Sequence, residues 1–379
     1  MVLSRPFYCP TQVISTQSYA EELRDIVADQ RWLLVTSSGW VRRGAVDQLV
    51  TSLGKPTAII DAVPTNPRIS NIETLRAALL RDLDIVVALG GGSVIDAAKG
   101  FAAVHALNGE MEILAAHLRD GASLPATFAP PPLVAVPTTS GTGSEVTRWA
   151  TIWGDDDFKF SLQHPALYPS VAVLDPSLCT SMPEDITLAT ALDAVSHAME
   201  AVWNRNHMPV SDRMASTAIS EIYASLRQTI EQPTNVALRE RIQVASLIAG
   251  YAMGTTQTAV AHSISYPFTA KYDMPHGFAC SFTLAEVVRY NAEADGQRLL
   301  PIAEALDCSV ESIGETIEKW FDELGVGKYV AQYVTPDVTD EMGDGLITRA
   351  RAANNLRDID GAEARAIARR SLDHFSRGD

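Results

Sequence analysis

The 379-residue chain contains only four cysteines, and no two of them form a CxxC pair. Neither a zinc ribbon nor a dithiol redox site is therefore indicated, and sparse cysteine is typical of a reducing compartment. The chain also lacks an apolar run near the roughly 20 residues of a membrane span. Its first residues, MVLSRPFYCP, lack the apolar core of a secretory signal. We therefore expect a cytoplasmic protein that makes no use of a membrane.

Basic residues are scarce relative to acidic ones. Thirty Lys and Arg against 46 Asp and Glu give a formal net charge of −16, which argues against binding to nucleic acid or to anionic lipid. A hydrophobic content of 46% is sufficient for a sizeable core. The composition therefore predicts a soluble globular protein, and the length suggests two or three domains.

Short apolar runs alternate with helical segments through the first half of the chain. Helices are expected near 43–53 and 70–82 and after residue 90. The runs that read as buried strands are WLLVT (32–36), TAII (57–60), DIVVALG (84–90), LVAVP (133–137) and VAVLD (171–175). This alternation predicts a parallel sheet covered by helices on both faces. EVTRWATIW and KFSLQHP predict an added hairpin.

Strand signals become rare after about residue 181, where Pro183 precedes a long segment with helical spacing. Further helices are expected at SDRMASTAISEIYASLRQTI and VALRERIQVASLIAGYAMG, and near 297–306, 309–325, 338–354 and 360–377. We therefore predict an α/β domain over 1–178 and an all-α domain over 179–379.

A carboxylate and three histidines are the first candidate site. Asp193 and His197 are four residues apart, so both project from one helix face. His262 and His276 could complete a ligand set from neighbouring elements. Three imidazoles with one carboxylate suit Zn²⁺ or Fe²⁺ better than Mg²⁺ or Ca²⁺, which prefer oxygen ligands. The Asp/His pair alone is also common on ordinary helices, so the metal site needs support from the rest of the chain.

A glycine-rich turn, GGGS, joins the 84–90 strand to the next helix. Backbone N–H groups at Gly91, Gly92 and Ser93, with the helix N-terminus, could bind a pyrophosphate. The turn is not the G-x-G-x-x-G fingerprint. Asp96, in the first helical turn, could simply stabilise the helix dipole. Tight turns without any ligand use the same residues, so this turn alone leaves both interpretations open.

A second loop, PTTSGTGSEVT (137–147), follows the next strand. It offers hydroxyl groups at Thr138, Thr139, Thr142, Ser144 and Thr147. A Ser/Thr-rich turn is the simpler interpretation. Two such loops after strands of one sheet nevertheless favour a nucleotide at the carboxyl edge of that sheet.

In combination and order, GGGSVIDAAK, PTTSGTGSEVT, TALDAVSHAMEA and AHSISYP…YDMPHG resemble the iron-containing (group III) alcohol dehydrogenases over essentially the whole chain. The resemblance implies a dehydroquinate synthase-like architecture that uses NAD or NADP and one divalent metal, Fe²⁺ or Zn²⁺, and commonly forms a homodimer. The implied metal ligands are Asp193, His197, His262 and His276. The implied cofactor-binding residues are Asn66, Gly91, Gly92, Ser93, Asp96, Thr138, Thr139, Thr142, Thr147 and Lys159.

Two positions depart from the pattern of relatives. Many relatives that prefer NAD carry an Asp after the first strand, where this chain has Ser37 with Arg42 and Arg43 nearby. Without that carboxylate NADP becomes plausible, although both arginines could simply be solvated. Many relatives also carry a histidine four residues after the third ligand, where this chain has Tyr266.

Within the family, KFSLQHPALYP, AVWNRNHMPVSD and AHSISYPFTAKYDMPHGFACSFTL resemble the branch of phosphonate metabolism. That resemblance implies reduction of phosphonoacetaldehyde to 2-hydroxyethylphosphonate. Candidate contacts for such a dianion are Arg148, His164, Lys271 and the pair Asn204 and Arg205. We assign no residue as proton donor.

Three other functions remain open. A general short-chain alcohol dehydrogenase or lactaldehyde-type reductase would use the same chemistry. A 3-dehydroquinate-synthase-like lyase would need more charged pocket residues than we identify. A non-catalytic metal or nucleotide sensor would not need both loops and a complete ligand set.

Overall fold

The computed structural model describes residues 6–75, 83–156 and 158–376. They form two compact units. The first contains residues 9–75, 83–139, 144–156 and 158–180, and the second contains residues 6–8, 140–143 and 181–376.

The first unit is an α/β unit with eight strands among the described residues. The strands are β1 (Gln12–Ser15), β2 (Trp32–Thr36), β3 (Ala58–Ile60), β4 (Ile85–Gly90), β5 (Leu133–Pro137), β6 (Trp149–Trp153), β7 (Lys159–Gln163) and β8 (Val171–Leu174). Its helices are α1 (Tyr19–Val27), α2 (Ser38–Arg42), α3 (Ala45–Leu53), α4 (Ile69–Leu75), α5 (Gly92–Ala106) and α6 (Met111–Asp120), with short 3-10 helices at Ser144–Val146, Pro165–Leu167 and Pro176–Cys179.

Six strands form one parallel sheet in the order β1-β8-β5-β4-β2-β3, and β6 and β7 form a separate antiparallel hairpin. Alternate residues of each strand point to opposite faces. Leu34 packs with Leu23 of α1 on one face, and Leu33 packs with Phe101 of α5 on the other. Both faces are therefore covered, which is why the central strands are apolar along their whole length.

The adjacent strands β2, β4 and β5 end level with one another. Gly90 pairs with Pro137, and Thr36 pairs with Leu89. The loops that follow these strands therefore begin side by side at the carboxyl edge of the sheet, where open α/β sheets bind their ligands.

The second unit is helical. Its helices are α7 (Glu184–Val202), α8 (Pro209–Glu231), α9 (Val236–Thr256), α10 (Val260–Tyr272), α11 (His276–Ser281), α12 (Leu284–Asp295), α13 (Leu300–Leu306), α14 (Ile313–Leu324), α15 (Val326–Val330), α16 (Val338–Met342), α17 (Arg349–Ala352) and α18 (Gly361–Phe375). Short 3-10 helices lie at Gly296–Leu299, Val310–Ser312 and Gly343–Leu346. Within the described residues, no helix combines the length and apolarity needed to cross a bilayer.

Helix α7 lies at the centre of this unit. It begins after Pro183, with Glu184 and Asp185 in the first turn, where acidic groups favour the helix dipole. Nearly all of its residues from Thr187 onward are buried, and it packs on α8, α9 and α11. The small Ala-rich surface lets these helices approach on every side.

The predicted fold class is confirmed: a parallel α/β domain is followed by a helical domain. The prediction missed β1, whose residues are only partly buried at the sheet edge and do not form an apolar run. The helix predicted over 338–354 is broken, because Gly343 and Gly345 interrupt it. The predicted helix over 70–82 is helical from Ile69 to Leu75, and residues 76–82 lie outside the described chain.

Candidate functional site

The four predicted metal ligands come together in the helical unit. Asp193 and His197 project from α7, His262 lies in the first turn of α10, and His276 is the first residue of α11. The Nε2 atoms of His197, His262 and His276 lie 3.7, 3.5 and 3.9 Å from the same Oδ1 atom of Asp193. Four side chains from three helices thus converge on one point.

Hydrogen bonds behind the cluster fix two of the imidazole rings. His197 Nδ1 donates to the carbonyl oxygen of Gly141 at 3.3 Å, and His262 Nδ1 donates to Glu200 Oε2 at 2.8 Å. With the proton on Nδ1, each Nε2 directs a lone pair towards Asp193. The two rings stack with their centroids 4.7 Å apart. Such tethering of Nδ1 is the usual support for a metal-binding histidine.

Glu200 is the main residue that the sequence analysis missed. Its side chain is fully buried and accepts from His262 Nδ1 and from the backbone N–H groups of Ala259, Ala261 and His262, at 2.6–3.2 Å. Burial opposes ionisation, but His262 and these N–H groups lower the pKa of Glu200. The available signal was its position seven residues after Asp193, on the same face of an otherwise apolar helix.

A close backbone approach places α11 against α7. A Cβ atom on Gly277 would lie 1.8 Å from the carbonyl oxygen of Ala189, so only glycine fits. This contact places both His276 and Cys280, one turn later, beside Asp193. The Cys280 thiol donates to Asp193 Oδ1 at 3.3 Å, and burial, with Asp193 nearby, raises its pKa to about 11. Cys280 was not among the predicted site residues.

The electrostatics of the cluster favour an ionised carboxylate. Burial disfavours the charge on Asp193, but the imidazoles of His197, His262 and His276 outweigh burial and lower the pKa of its carboxyl group. Asp193, His197 and His262 are buried, whereas 28% of the His276 side chain is exposed. The cluster is therefore open to solvent on the side of His276.

These residues fit a divalent metal. Bonds of about 2.0–2.2 Å in a tetrahedral set separate ligand atoms by roughly 3.3–3.6 Å, close to the 3.5–3.9 Å from Asp193 Oδ1 to the three nitrogens. His262 Nε2 is buried and has no hydrogen-bond partner among the described residues, a costly state unless a cation satisfies it. The assignment of Asp193, His197, His262 and His276 as ligands agrees with this geometry and stays a prediction.

The predicted dinucleotide residues lie mainly in the α/β unit, at the carboxyl edge of its sheet. A Cβ atom on Gly91 would lie 3.0 Å from Thr139 Oγ1, so the two glycine- and threonine-rich loops are in contact at Gly91. Trp40 Nε1 donates to Thr138 Oγ1 at 3.1 Å. The backbone N–H of Asn66, a residue with a left-handed φ of 54°, donates to Ser93 Oγ at 3.2 Å. Loops after four strands therefore support one another.

A buried lysine that the sequence analysis did not identify joins α5 to the second loop. Lys99 Nζ donates to Ser144 O, Ser144 Oγ, Thr147 O and Trp149 O at 2.6–2.9 Å. Asp96 accepts from Ser144 Oγ at 2.5 Å and from Thr151 N at 2.8 Å. Burial lowers the pKa of Lys99 to about 8, against the opposing effect of Asp96 and Glu145. Asp96 thus organises the loop, and its direct contact with a cofactor stays a prediction.

The remaining predicted cofactor residues are more dispersed. Lys159 begins β7, with its ammonium 6.0 Å from the centre of the Trp153 ring. Thr142 lies in the short segment 140–143 that belongs to the helical unit. Ser37 precedes α2, and the Arg43 guanidinium lies 5.2 Å from the centre of the Trp40 ring. The preference between NAD and NADP stays open.

Comparison with known proteins agrees with both parts of this arrangement. Residues 10–176 match the family described as iron-containing alcohol dehydrogenase, and residues 187–370 match the C-terminal part of the Fe-containing alcohol dehydrogenase family. The chain therefore belongs to the iron-containing alcohol dehydrogenase family, as its motifs indicated.

Individual relatives differ in substrate. The chain is 35% identical over 297 residues to a 1,3-propanediol dehydrogenase from Klebsiella pneumoniae. The matched region covers 76% of this chain and 75% of that protein. It is 34% identical over 328 residues to a phosphonoacetaldehyde reductase from Streptomyces viridochromogenes, and the matched region covers 80% of both chains. A crystal structure of sulfoacetaldehyde reductase from Bifidobacterium kashiwanohense with NAD+ has a TM-score of 0.87, 26% identity, and coverage of 98% of this chain and 99% of that one.

The protein is thus an NAD(P)-dependent oxidoreductase that acts on aldehydes and alcohols and uses an iron or zinc ion, which confirms the predicted enzyme class and cofactors. The predicted homodimer and cytoplasmic location stay predictions.

We predict that Glu200→Gln weakens metal retention by about 10–100-fold, the usual effect of removing a partner behind a ligand. Each carboxylate oxygen of Glu200 accepts two N–H groups. The NH₂ group of an amide would face two donors at one of these positions, and the support for His262 would be lost. Metal content per chain after dialysis against a chelator measures the effect. Glu304→Gln, at an exposed ion pair, is the control, and full retention in the Glu200 variant would contradict the role.

We predict that Gly91→Val weakens dinucleotide binding by about tenfold or more while metal content is unchanged, because overpacking against Thr139 costs about 1–3 kcal/mol. Titration with NADH and NADPH, alongside metal analysis, checks it. Gly296→Val is the matched control, since its nearest contact is an ordinary 3.5 Å. Unchanged dinucleotide affinity would count against the loop assignment.

We predict that Lys99→Met destabilises the α/β unit by about 3–5 kcal/mol, because it leaves Asp96 and three carbonyl groups buried without their cation. Thermal unfolding followed by circular dichroism measures the loss. Lys55→Met, at an exposed lysine, should unfold like the wild type. If the unfolding temperature of Lys99→Met is as close to the wild type as that of Lys55→Met, the hydrogen bonds of Lys99 contribute little to stability.

Proposed function

We propose that the protein reduces phosphonoacetaldehyde to 2-hydroxyethylphosphonate with NADH or NADPH. Two of the similar proteins are named for anionic two-carbon aldehydes, one a phosphonate and one a sulfonate. The proposal adds to the established family chemistry a basic group that recognises the anion.

The observation that supports recognition of the anion is the environment of Arg148. Its Nε atom is buried and has no hydrogen-bond partner among the described residues, and its guanidinium lies 5.5 Å from the centre of the Trp149 ring. Burying such a donor is costly unless a ligand accepts its hydrogen bond.

Further basic groups lie near Arg148. Partial burial, with the positive fields of His117 and Arg148, lowers the pKa of His164. His164 Nδ1 accepts from Ala166 N at 3.2 Å, so its Nε2 carries the proton and can donate. Arg148 therefore supplies the local positive charge that an acidic protein needs to attract a dianion, and neutral His164 adds a hydrogen-bond donor.

The other residues predicted to contact the dianion either bond to other parts of the protein or show no environment that favours anion binding. Arg205 forms a 2.8 Å ion pair with Asp358, and Asn204 donates to Gln257 O at 3.0 Å and accepts from Asn206 N at 2.9 Å. These bonds hold the segment after α7 in place. Lys271 is exposed in the last turn of α10.

The proposed reduction uses the candidate metal ligands and the two loops that are candidates for binding the dinucleotide. When bound, a divalent metal would supply the Lewis acidity that polarises an aldehyde carbonyl for hydride transfer from a reduced nicotinamide. We propose that Asp193, His197, His262 and His276 hold this metal. These four residues contribute one negative charge, that of Asp193. Glu200 keeps His262 aligned, and the loops at Gly91 and Thr138 bind the dinucleotide.

A general short-chain alcohol dehydrogenase is the second candidate, favoured by the 35% identity to 1,3-propanediol dehydrogenase. A panel of phosphonoacetaldehyde, sulfoacetaldehyde, 3-hydroxypropanal and propanal, each with NADH and NADPH, separates the two. A charged hydrogen bond contributes about 1.5–3 kcal/mol, so kcat/KM for the phosphonate should exceed that for propanal by about 10–100-fold. Equal or better turnover of the uncharged aldehydes would favour the second candidate.

We predict that Arg148→Met raises the KM for phosphonoacetaldehyde by about 10–100-fold and leaves kcat/KM for propanal nearly unchanged. Arg148→Lys should restore part of the loss, because it keeps the charge but not the planar fork. Arg213→Met, at an exposed ion pair, is the control. Parallel losses for both aldehydes would mean that Arg148 supports the fold and does not bind the anion.

A further inference from the structure

Cys280 adds a sulfur atom to the candidate metal centre. Its side chain is fully buried in α11, and Sγ lies 3.3 Å from Asp193 Oδ1, the oxygen on which the three imidazoles converge. The ligand atoms of Asp193, His262, His276 and Cys280 all lie within 4.8 Å of one another. His197 is outside that group, although its Nε2 is 3.7 Å from Asp193.

The spacing is that of two ligands on one ion. A Zn–S bond of about 2.3 Å and a Zn–O bond of about 2.1 Å at a tetrahedral angle separate the two atoms by roughly 3.6 Å. The observed 3.3 Å is slightly shorter, as expected when the thiol still donates its proton to Asp193. The separate indication of a ligand is His262 Nε2, which is 3.5 Å from the same oxygen and lacks a hydrogen-bond partner among the described residues.

The backbone leaves the sulfur little freedom to move away. Cys280 follows His276 by one helical turn, so both side chains project from the same face of α11. The 1.8 Å approach that a Cβ on Gly277 would make to Ala189 O shows that α11 lies directly on α7. Among the described residues, Sγ also contacts Gly277 O at 3.5 Å, a weak contact within the same helix, and interacts with the side chains of His262 and Ser196.

We propose that Cys280 Sγ is a further donor to the metal and biases the centre towards zinc. The inference rests on the proposed metal centre. On binding, the S–H bond breaks, the proton leaves to solvent and the thiolate sulfur bonds the cation, with no change in oxidation state. Thiolate favours zinc over a metal that prefers oxygen and nitrogen ligands.

X-ray absorption at the zinc edge tests the proposal on the full-length protein. The wild type should show a sulfur at about 2.3 Å in addition to nitrogen and oxygen at about 2.0–2.2 Å. The sulfur shell should disappear in Cys280→Ser and persist in Cys308→Ser, a cysteine of the same unit outside the cluster. With cobalt in place of zinc, the near-ultraviolet sulfur-to-cobalt band should follow the same pattern.

Competition between the metals gives a second readout. The ratio of zinc to iron affinity should fall by about 10–100-fold in Cys280→Ser, comparable with the loss of other groups around a metal. If zinc in the wild type is bound by nitrogen and oxygen alone, the proposal that Cys280 is a donor is wrong, while the proposed metal centre still stands. Failure of the wild type to retain any metal would overturn both. The wild-type spectrum decides the question even if the serine variant does not fold.

Discussion

The hydrogen bond between His262 and Glu200 is the interaction on which the metal centre depends. It fixes the proton on Nδ1 and aims Nε2 at Asp193, and it pairs a buried carboxylate with an imidazole donor. The same carboxylate accepts three backbone N–H groups at the start of α10. One side chain on α7 therefore sets both the position of α10 and the orientation of its ligand, which couples the packing of the helices to the chemistry.

The α/β unit uses a buried cation for the corresponding purpose. Lys99 donates to three carbonyl groups and to Ser144 Oγ, and Asp96 closes the network. A loop rich in glycine and threonine has little intrinsic preference for one conformation, so ordering it in advance removes that cost from dinucleotide binding. Each unit thus fixes a functional element with one buried charged side chain from a neighbouring helix.

Sequence patterns predicted most of the fold because its elements have strong periodicity. The strands β2 and β5 coincide with WLLVT and LVAVP, since buried parallel strands are apolar along their whole length. The pattern failed at β1, whose partial burial gives no such run, and within 338–354, where glycines break the helix. The family resemblance supplied the four ligands, whose spacing alone favoured ordinary helix-surface or core residues.

The sequence by itself determined the fold class, the family and the positions of the candidate ligands, because these depend on local periodicity and short motifs. Tertiary structure alone decided that His197, His262 and His276 meet at one oxygen of Asp193, with Glu200 and Cys280 beside them. It also revealed Lys99 beneath the second loop and Arg148 without a described carboxylate partner. These contacts join residues up to 87 positions apart, and their geometry arises from helix packing and backbone approach, which leave no local pattern in the chain.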